Sequence, residues 1–79
     1  MPELTLYSRS GCHLCEDMHQ QLVAYQETLG FRLKVLDIDA DSALVAKYGE
    51  LVPVLKLKER EVCHYFLDLD ALKTCLATC

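Results

Sequence analysis

Apolar and polar residues repeat along this chain with two different periods, and these periods predict its secondary structure. Residues 4–8 form a short apolar run of the length and composition expected for a buried strand. Across residues 12–29, apolar side chains recur every three or four positions, as on one face of a helix: Cys15, Met18, Leu22, Tyr25 and Leu29. Gly30 is expected to end this helix.

The middle of the chain is predicted to contain a second strand and a short helix. Residues 31–37 alternate apolar and charged side chains except at the adjacent Val35 and Leu36, which predicts a strand covered more fully at its C-terminal end. Residues 37–42 offer several N-cap candidates for a helix that Gly49 would end. The apolar side chains of this helix are Leu44, Val45 and Tyr48.

The last third of the chain is predicted to form two strands and a final helix. Residues 52–57 and 61–65 are the strands, joined by a charged turn at residues 58–60. Asp68 can cap the helix. Its buried side is expected to consist of Leu69, Leu72 and Leu76.

Composition is typical of one globular domain. The 79 residues are 52% hydrophobic and 25% charged, so we expect one domain over residues 1–79 with one modest core. The formal net charge is −4 and basic residues do not cluster with aromatic ones, so nucleic-acid binding is not expected. The N-terminus lacks a cationic leader before an apolar segment, and no apolar stretch could span a bilayer. We therefore expect a cytoplasmic monomer without membrane contact.

The candidate reactive residues lie where the first predicted strand meets the first predicted helix. Cys12 and Cys15 form a Cys-x-x-Cys motif there, and the first sulfur would lie beside the free N–H groups of the helix N-terminus. Cys12 lies off the apolar stripe, so it should be partly exposed, with a pKa lowered into the range of roughly 3.5–7.5 seen at such sites. Cys15 begins the stripe and should be buried. Cys12 is thus the predicted nucleophile and Cys15 the resolving thiol of a disulfide exchange.

Four segments of the chain stand in the order and spacing of a known family: residues 7–15, 37–39, 47–49 and 52–54. They resemble the glutaredoxins, small members of the thioredoxin fold, and the resemblance covers nearly the whole chain. It implies an α/β fold of order βαβ-α-ββα, with a four-stranded mixed sheet flanked by helices. The implied strand order is two-one-three-four, and the peptide bond between Val52 and Pro53 is expected to be cis.

The resemblance also implies an activity and a binding site. The activity is thiol–disulfide oxidoreduction on protein disulfides or glutathione mixed disulfides, with no bound cofactor and glutathione as a possible co-substrate. Arg9 would lie near the thiolate and a glutathione carboxylate, and a protonated His13 would stabilise the thiolate. Val52 and Pro53 would present the Val52 backbone N–H and C=O to an extended substrate chain. Asp68 would meet the amino group of glutathione.

The chain departs from the glutaredoxin pattern in two places. Leu51 stands where glutaredoxins typically have Thr, and residues 63–68 lack the Gly-Gly pair that precedes their last helix. Tyr65 and Phe66 are expected to narrow the groove, because glycines permit close approach of the backbone to a ligand. The sequence therefore supports dithiol exchange more than it supports glutathione binding.

Two other functions are compatible with the sequence. A non-catalytic binding module could use the groove beside Val52 and Pro53 to hold a peptide or protein. A zinc or copper(I) protein could use four cysteines as tetrahedral ligands, with His13 or His64 as a substitute for one of them: Cys12, Cys15, Cys75 and Cys79. The last helix should lie far from the first cysteine pair, so we predict no metal site. We expect the cysteines outside the motif to be reduced, as small apolar or surface residues: Cys63, Cys75 and Cys79.

Overall fold

The structure is a computed structural model that describes residues 1–78. Within this range the elements follow the predicted order, with a 3₁₀ turn at Ile38–Ala40 before the second helix. The strands are β1 Glu3–Ser8, β2 Arg32–Asp37, β3 Val54–Leu57 and β4 Arg60–His64. The helices are α1 His13–Leu29, α2 Ser42–Tyr48 and α3 Leu69–Ala77. No helix of the described range is both long enough and apolar enough to cross a membrane.

Over residues 1–78 the strands form one four-stranded mixed sheet in the order β2-β1-β3-β4, which confirms the expected topology. β1 is parallel to β2 and antiparallel to β3. Tyr7 near the end of β1 pairs with Val54 at the start of β3, and Val54 pairs with His64 at the end of β4. Three loops therefore meet at one end of the sheet, which we call the cysteine end: residues 9–12, 49–53 and 65–68.

The helices pack on both faces of the sheet. Side chains alternate between the two faces of each strand, and this alternation produces two apolar clusters. The larger cluster joins β1, β3 and β4 to α1 and α3 through Leu4, Leu6, Met18, Leu22, Phe31, Leu55, Leu57, Cys63, Leu72 and Cys75. The smaller one lies on the α2 side and consists of Ile38, Tyr48 and Val54. The two clusters thus cover opposite faces of the sheet.

The predicted coverage of β2 is wrong. Val35, near the C-terminal end of the strand, is 42% exposed, whereas Leu33 packs against the larger cluster. β2 is an edge strand with β1 as its neighbour, so Val35 has a strand beside it on one side only.

Two glycines end their helices in different ways. Gly30 has the left-handed φ of 73° and its N–H donates to the Gln26 carbonyl at 3.0 Å, as expected of a glycine after a helix. Gly49 follows the last residue of α2, as predicted, but it keeps a right-handed φ of −52°. A Cβ at Gly49 would lie 2.5 Å from the Val45 carbonyl oxygen, and this close contact is what requires glycine there.

α3 begins as predicted but buries a different set of side chains. The Asp68 carboxylate accepts a hydrogen bond from the Ala71 N–H at 3.0 Å, which is the expected N-cap. The buried residues of α3 are Leu72 and Cys75. The predicted Leu69 and Leu76 are only partly buried, because Cys75 rather than Leu76 completes the face that packs on the sheet.

Candidate active site

Cys12 and Cys15 form a disulfide at the cysteine end of the sheet. Their Cα atoms are 5.2 Å apart, within the range that a disulfide spans without backbone movement. Cys12 is the N-cap of α1 and is partly exposed, whereas Cys15 lies in the first turn and is 3% exposed. The predicted asymmetry between an accessible sulfur and a buried one is therefore confirmed.

The loop before α1 fixes the position of the Cys12 sulfur. The Cys12 N–H donates to the Arg9 carbonyl at 3.2 Å, and Gly11 supplies the left-handed φ of 75° that this turn needs. The Cys12 Sγ accepts a hydrogen bond from the Cys15 N–H at 3.2 Å. A free N–H at a helix N-terminus thus points at the sulfur, and this donor stabilises negative charge on it.

Arg9 and His13 flank the disulfide but make their side-chain contacts elsewhere. The Arg9 Nη2 lies 2.9 Å from Asp39 Oδ1, and its Nη1 donates to the Gly49 carbonyl at 3.4 Å. Arg9 therefore ties its loop to the 3₁₀ turn and to the end of α2. The His13 side chain is 86% exposed, with Nε2 3.8 Å from Asp17 Oδ2. The roles of Arg9 and His13 toward a thiolate or glutathione stay predictions.

The peptide bond between Val52 and Pro53 is cis, as the resemblance implied. The Val52 N–H donates to the Tyr48 carbonyl at 3.1 Å and is therefore occupied in this structure, whereas a substrate contact at the Val52 C=O beside Pro53 stays a prediction. The Leu51 N–H also donates to the Tyr48 carbonyl, at 2.8 Å. The turn that follows α2 thus uses both of these backbone donors.

The sequence model of the glutaredoxin-like domain (DUF836) matches residues 3–77. The chain belongs to this family. A Nitrosomonas europaea protein solved by NMR is 42% identical, with a TM-score of 0.83 over 95% of this chain and 92% of that chain. An uncharacterized Mycobacterium tuberculosis protein is 30% identical over 81 residues, 96% of this chain and 84% of that protein.

The glutaredoxin-like domain also shares its fold with a more distant protein. Buckwheat glutaredoxin, solved as a complex with glutathione, is 17% identical, with a TM-score of 0.54 over 95% of this chain and 68% of that chain. This likeness concerns the fold alone. Together with the observed topology, it confirms the thioredoxin-like α/β architecture.

Tyr65 connects two loops at the cysteine end of this glutaredoxin-like domain. Its hydroxyl donates to the Glu50 carbonyl at 2.8 Å and its N–H donates to the Pro53 carbonyl at 2.9 Å. Its φ is 63°, a left-handed value that is uncommon for residues other than glycine. Sequence reasoning identified the bulk of Tyr65 but missed this bridge, since periodicity carries no signal for a bond to a residue 15 positions away.

Asp68 and Cys63 lie close together near the start of α3. The Asp68 carboxylate caps α3, so one of its oxygens is already occupied, and its role toward an amino group stays a prediction. Burial is the main cause that raises the pKa of the Cys63 thiol above its ordinary value, against the opposing effect of a hydrogen bond from the Asp68 backbone. Cys63 is therefore a neutral thiol at physiological pH.

Two cysteines outside the Cys-x-x-Cys motif, Cys63 and Cys75, are free and buried in the larger apolar cluster. This confirms that they pack as small apolar residues. Within residues 1–78, no three His, Cys, Asp or Glu side chains form a group suited to a metal ion. Cys79, which the alternative metal site also needed, lies outside the described residues.

Proposed function

We propose that this glutaredoxin-like domain is a thiol–disulfide oxidoreductase that uses Cys12 and Cys15 to reduce disulfides in proteins or mixed disulfides with glutathione. The observation that supports this most is the pair itself. A partly exposed sulfur sits at the N-terminus of a helix, within bonding reach of a buried sulfur. These are the features that a nucleophilic thiol and its resolving partner require.

The first step is attack by Cys12 on a substrate disulfide. In the reduced protein, the Cys12 thiolate bonds to one substrate sulfur while the substrate S–S bond breaks. The electron pair of that bond leaves with the other substrate sulfur, which takes up a proton and departs as a thiol. The product is a mixed disulfide between Cys12 and the remaining half of the substrate.

The second step uses Cys15. Its thiol gives up a proton, and the resulting thiolate attacks the Cys12 sulfur, displacing the second substrate half as a thiolate that takes up a proton. Two electrons have then passed from the protein to the substrate, and the Cys12–Cys15 disulfide remains. An external thiol reductant, either two monothiols or one dithiol, restores the reduced protein.

The difference in burial gives each sulfur a separate role. Cys15 is 3% exposed, so a bulky disulfide reaches Cys12 first. The hydrogen bond from the Cys15 N–H stabilises the Cys12 thiolate. That thiolate is also the better leaving group when Cys12 is displaced from a disulfide, because lower-pKa thiols leave faster.

We further propose that the domain acts as a cytoplasmic monomer without a bound cofactor. The buried free thiols of Cys63 and Cys75 support a reducing compartment, where thiols persist. Arg9 is the cation nearest in sequence to the motif, and we propose that it attracts an anionic group of the substrate while paired with Asp39.

The test compares single substitutions at the two cysteines. Pre-reduced protein is mixed with 2-hydroxyethyl disulfide, and the products are followed by mass spectrometry. Cys12→Ser is expected to abolish reduction, whereas Cys15→Ser is expected to accumulate one mixed disulfide on Cys12. Cys63→Ala, a substitution at a buried free thiol, is the matched control and should retain activity.

Full activity in Cys12→Ser would contradict the proposed mechanism. Equal inertness of the wild type and of all variants would instead favour the alternative of a non-catalytic binding module.

A further inference from the structure

Arg9 is the first residue of the turn that carries Cys12. The Arg9 carbonyl accepts the Cys12 N–H at 3.2 Å, so the Cα atoms of these two residues lie within about 7 Å of each other, as at the two ends of a β-turn. The same residue lines a depression of about 500 Å³ together with residues 45–47 and 49–51. A substrate flank that extends from Cys12 toward the end of α2 therefore meets Arg9.

Asp39 holds one side of the Arg9 guanidinium. The Arg9 Nε donates to both carboxylate oxygens of Asp39, at 3.1 and 3.3 Å, and Nη2 lies 2.9 Å from Oδ1. Nη1 donates to the Gly49 carbonyl at 3.4 Å. An arginine has five N–H groups in a fixed planar fork. Asp39 thus fixes the direction of this fork and takes the donors of one of its edges.

The position of Asp39 is well defined, and its pair with Arg9 remains accessible to solvent. The Asp39 N–H donates to Asp37 Oδ1 at 2.9 Å, and the adjacent Ile38 is fully buried in the smaller apolar cluster. The side chains of Arg9 and Asp39 are 38% and 42% exposed. An ion pair this exposed contributes little to stability. Removing the Asp39 carboxylate should therefore change the charge at the cysteine end and leave the fold intact.

We propose that Asp39 is a positioning residue that restrains Arg9 and offsets its charge. An arginine without this partner would bind anionic groups of a substrate through its free donors and would repel cationic groups. With Asp39 in place, disulfides with anionic and cationic flanks react at more similar rates. The inference rests on the proposed disulfide exchange at Cys12. It adds a substrate class to that function, namely disulfides accepted largely without regard to the charge of their flanks.

The experiment measures second-order rate constants of the pre-reduced protein with two small disulfides of opposite charge, dithiodipropionate and cystamine. The readout is the ratio of the constant for the anionic disulfide to that for the cationic one, in which a change in the reactivity of Cys12 itself cancels. Asp39→Ala is expected to raise this ratio by about threefold to tenfold, the size of an exposed ion pair gained with one substrate and an equal repulsion gained with the other. Asp39→Asn keeps a neutral acceptor for Arg9 and should give a smaller rise. The rise should shrink at about 1 M salt, which screens exposed charges.

Asp41→Asn is the charge-matched control. The Asp41 carboxylate accepts the Ala43 N–H at 2.9 Å as the cap of α2, and asparagine keeps that cap. The substitution removes the same negative charge two residues further along the chain and leaves the pair of Arg9 and Asp39 in place. Its ratio should stay close to that of the wild type. A rise as large as that in Asp39→Ala would show that net charge alone controls the ratio and would overturn the assignment to Asp39.

A double-mutant cycle tests whether Asp39 acts through Arg9. In an Arg9→Gln background, Asp39→Ala should change the ratio no more than Asp41→Asn does, because the cation that Asp39 restrains is gone. An equal rise in the presence and absence of Arg9 would overturn the positioning role.

The outcomes separate this inference from the proposed function. If the wild type reduces the neutral 2-hydroxyethyl disulfide and Asp39→Ala leaves the ratio unchanged, the positioning role is refuted and the oxidoreductase stands. If the wild type reacts with none of the three disulfides faster than a free cysteine peptide, both fail. Circular dichroism checks the fold of each variant. Should Asp39→Ala not fold, a raised ratio in Asp39→Asn supports the inference and an unchanged one overturns it.

Discussion

The reactivity of Cys12 depends on how strongly the helix N-terminus stabilises its thiolate, and the Cys15→Ser variant isolates this effect. This variant cannot form the internal disulfide, so Cys12 remains a thiol. Serine is slightly smaller than cysteine and keeps the backbone N–H that donates to the Cys12 Sγ at 3.2 Å. We expect the pKa of the Cys12 thiol to lie below the value of about 8.5 for an ordinary cysteine.

The size of the effect follows from two contributions. A hydrogen bond to a charged group stabilises it by about 1.5–3 kcal/mol, and the lower end applies here because Cys12 is partly exposed. Proximity to a helix N-terminus adds about 0.3–1 kcal/mol. The negative charge of Glu16, in the first turn of α1, opposes both of these contributions to thiolate stability. A net stabilisation of about 2 kcal/mol would raise the ratio of thiolate to thiol about thirtyfold.

The assay is the rate of iodoacetamide alkylation against pH, followed by mass spectrometry of the individual cysteine peptides. Cys63 is an internal control in the same sample, since burial raises the pKa of its thiol. Cys12 should be alkylated rapidly with an inflection well below that of an ordinary cysteine, whereas Cys63 should react slowly with an inflection above it. A Cys12 inflection at about 8.5 or higher would refute the reasoning.

Three further predictions concern the scaffold around the site. Gly49→Ala should lower the free energy of unfolding by about 1–3 kcal/mol in urea titrations, because its Cβ would meet the Val45 carbonyl oxygen at 2.5 Å; an unchanged stability would show that the loop relaxes freely. Asp68→Ala should cost about 1 kcal/mol through loss of the α3 cap, and Asp68→Asn should restore most of it; equal losses in both variants would exclude a capping role. The raised pKa of Cys63 predicts a stability contribution that is present below the ordinary pKa of a cysteine and lost as pH rises toward the folded pKa, because the unfolded state releases the proton first. The drop in unfolding free energy from about pH 8 to about pH 10 should therefore be smaller in Cys63→Ala, and an identical drop would contradict the assignment.

Local patterns were sufficient to predict the elements and the asymmetry of the cysteine pair. The three- and four-residue spacing through Cys15, Met18 and Leu22 places one side of α1 in the core, which leaves Cys12 at the accessible N-terminus. The cis bond at Val52 and Pro53 came from the family resemblance instead, because spacing alone does not distinguish cis from trans.

The features that sequence reasoning missed depend on residues far apart in the chain. Arg9 pairs with Asp39, 30 positions away, and the Tyr65 hydroxyl bonds to Glu50. The exposure of Val35 depends on the edge position of β2. None of these follows from hydrophobic periodicity, since each is determined by which elements become neighbours after folding.

The most direct test of the central claim is a redox titration of Cys12 and Cys15 in glutathione buffers of defined potential. Alkylation of the remaining thiols and mass spectrometry would report the state of each cysteine. The account predicts that Cys12 and Cys15 change together and reversibly, as a two-electron couple with a slope of about 30 mV per decade, while Cys63 and Cys75 stay reduced. Independent titration of Cys12 and Cys15, or no reversible transition between them, would contradict it.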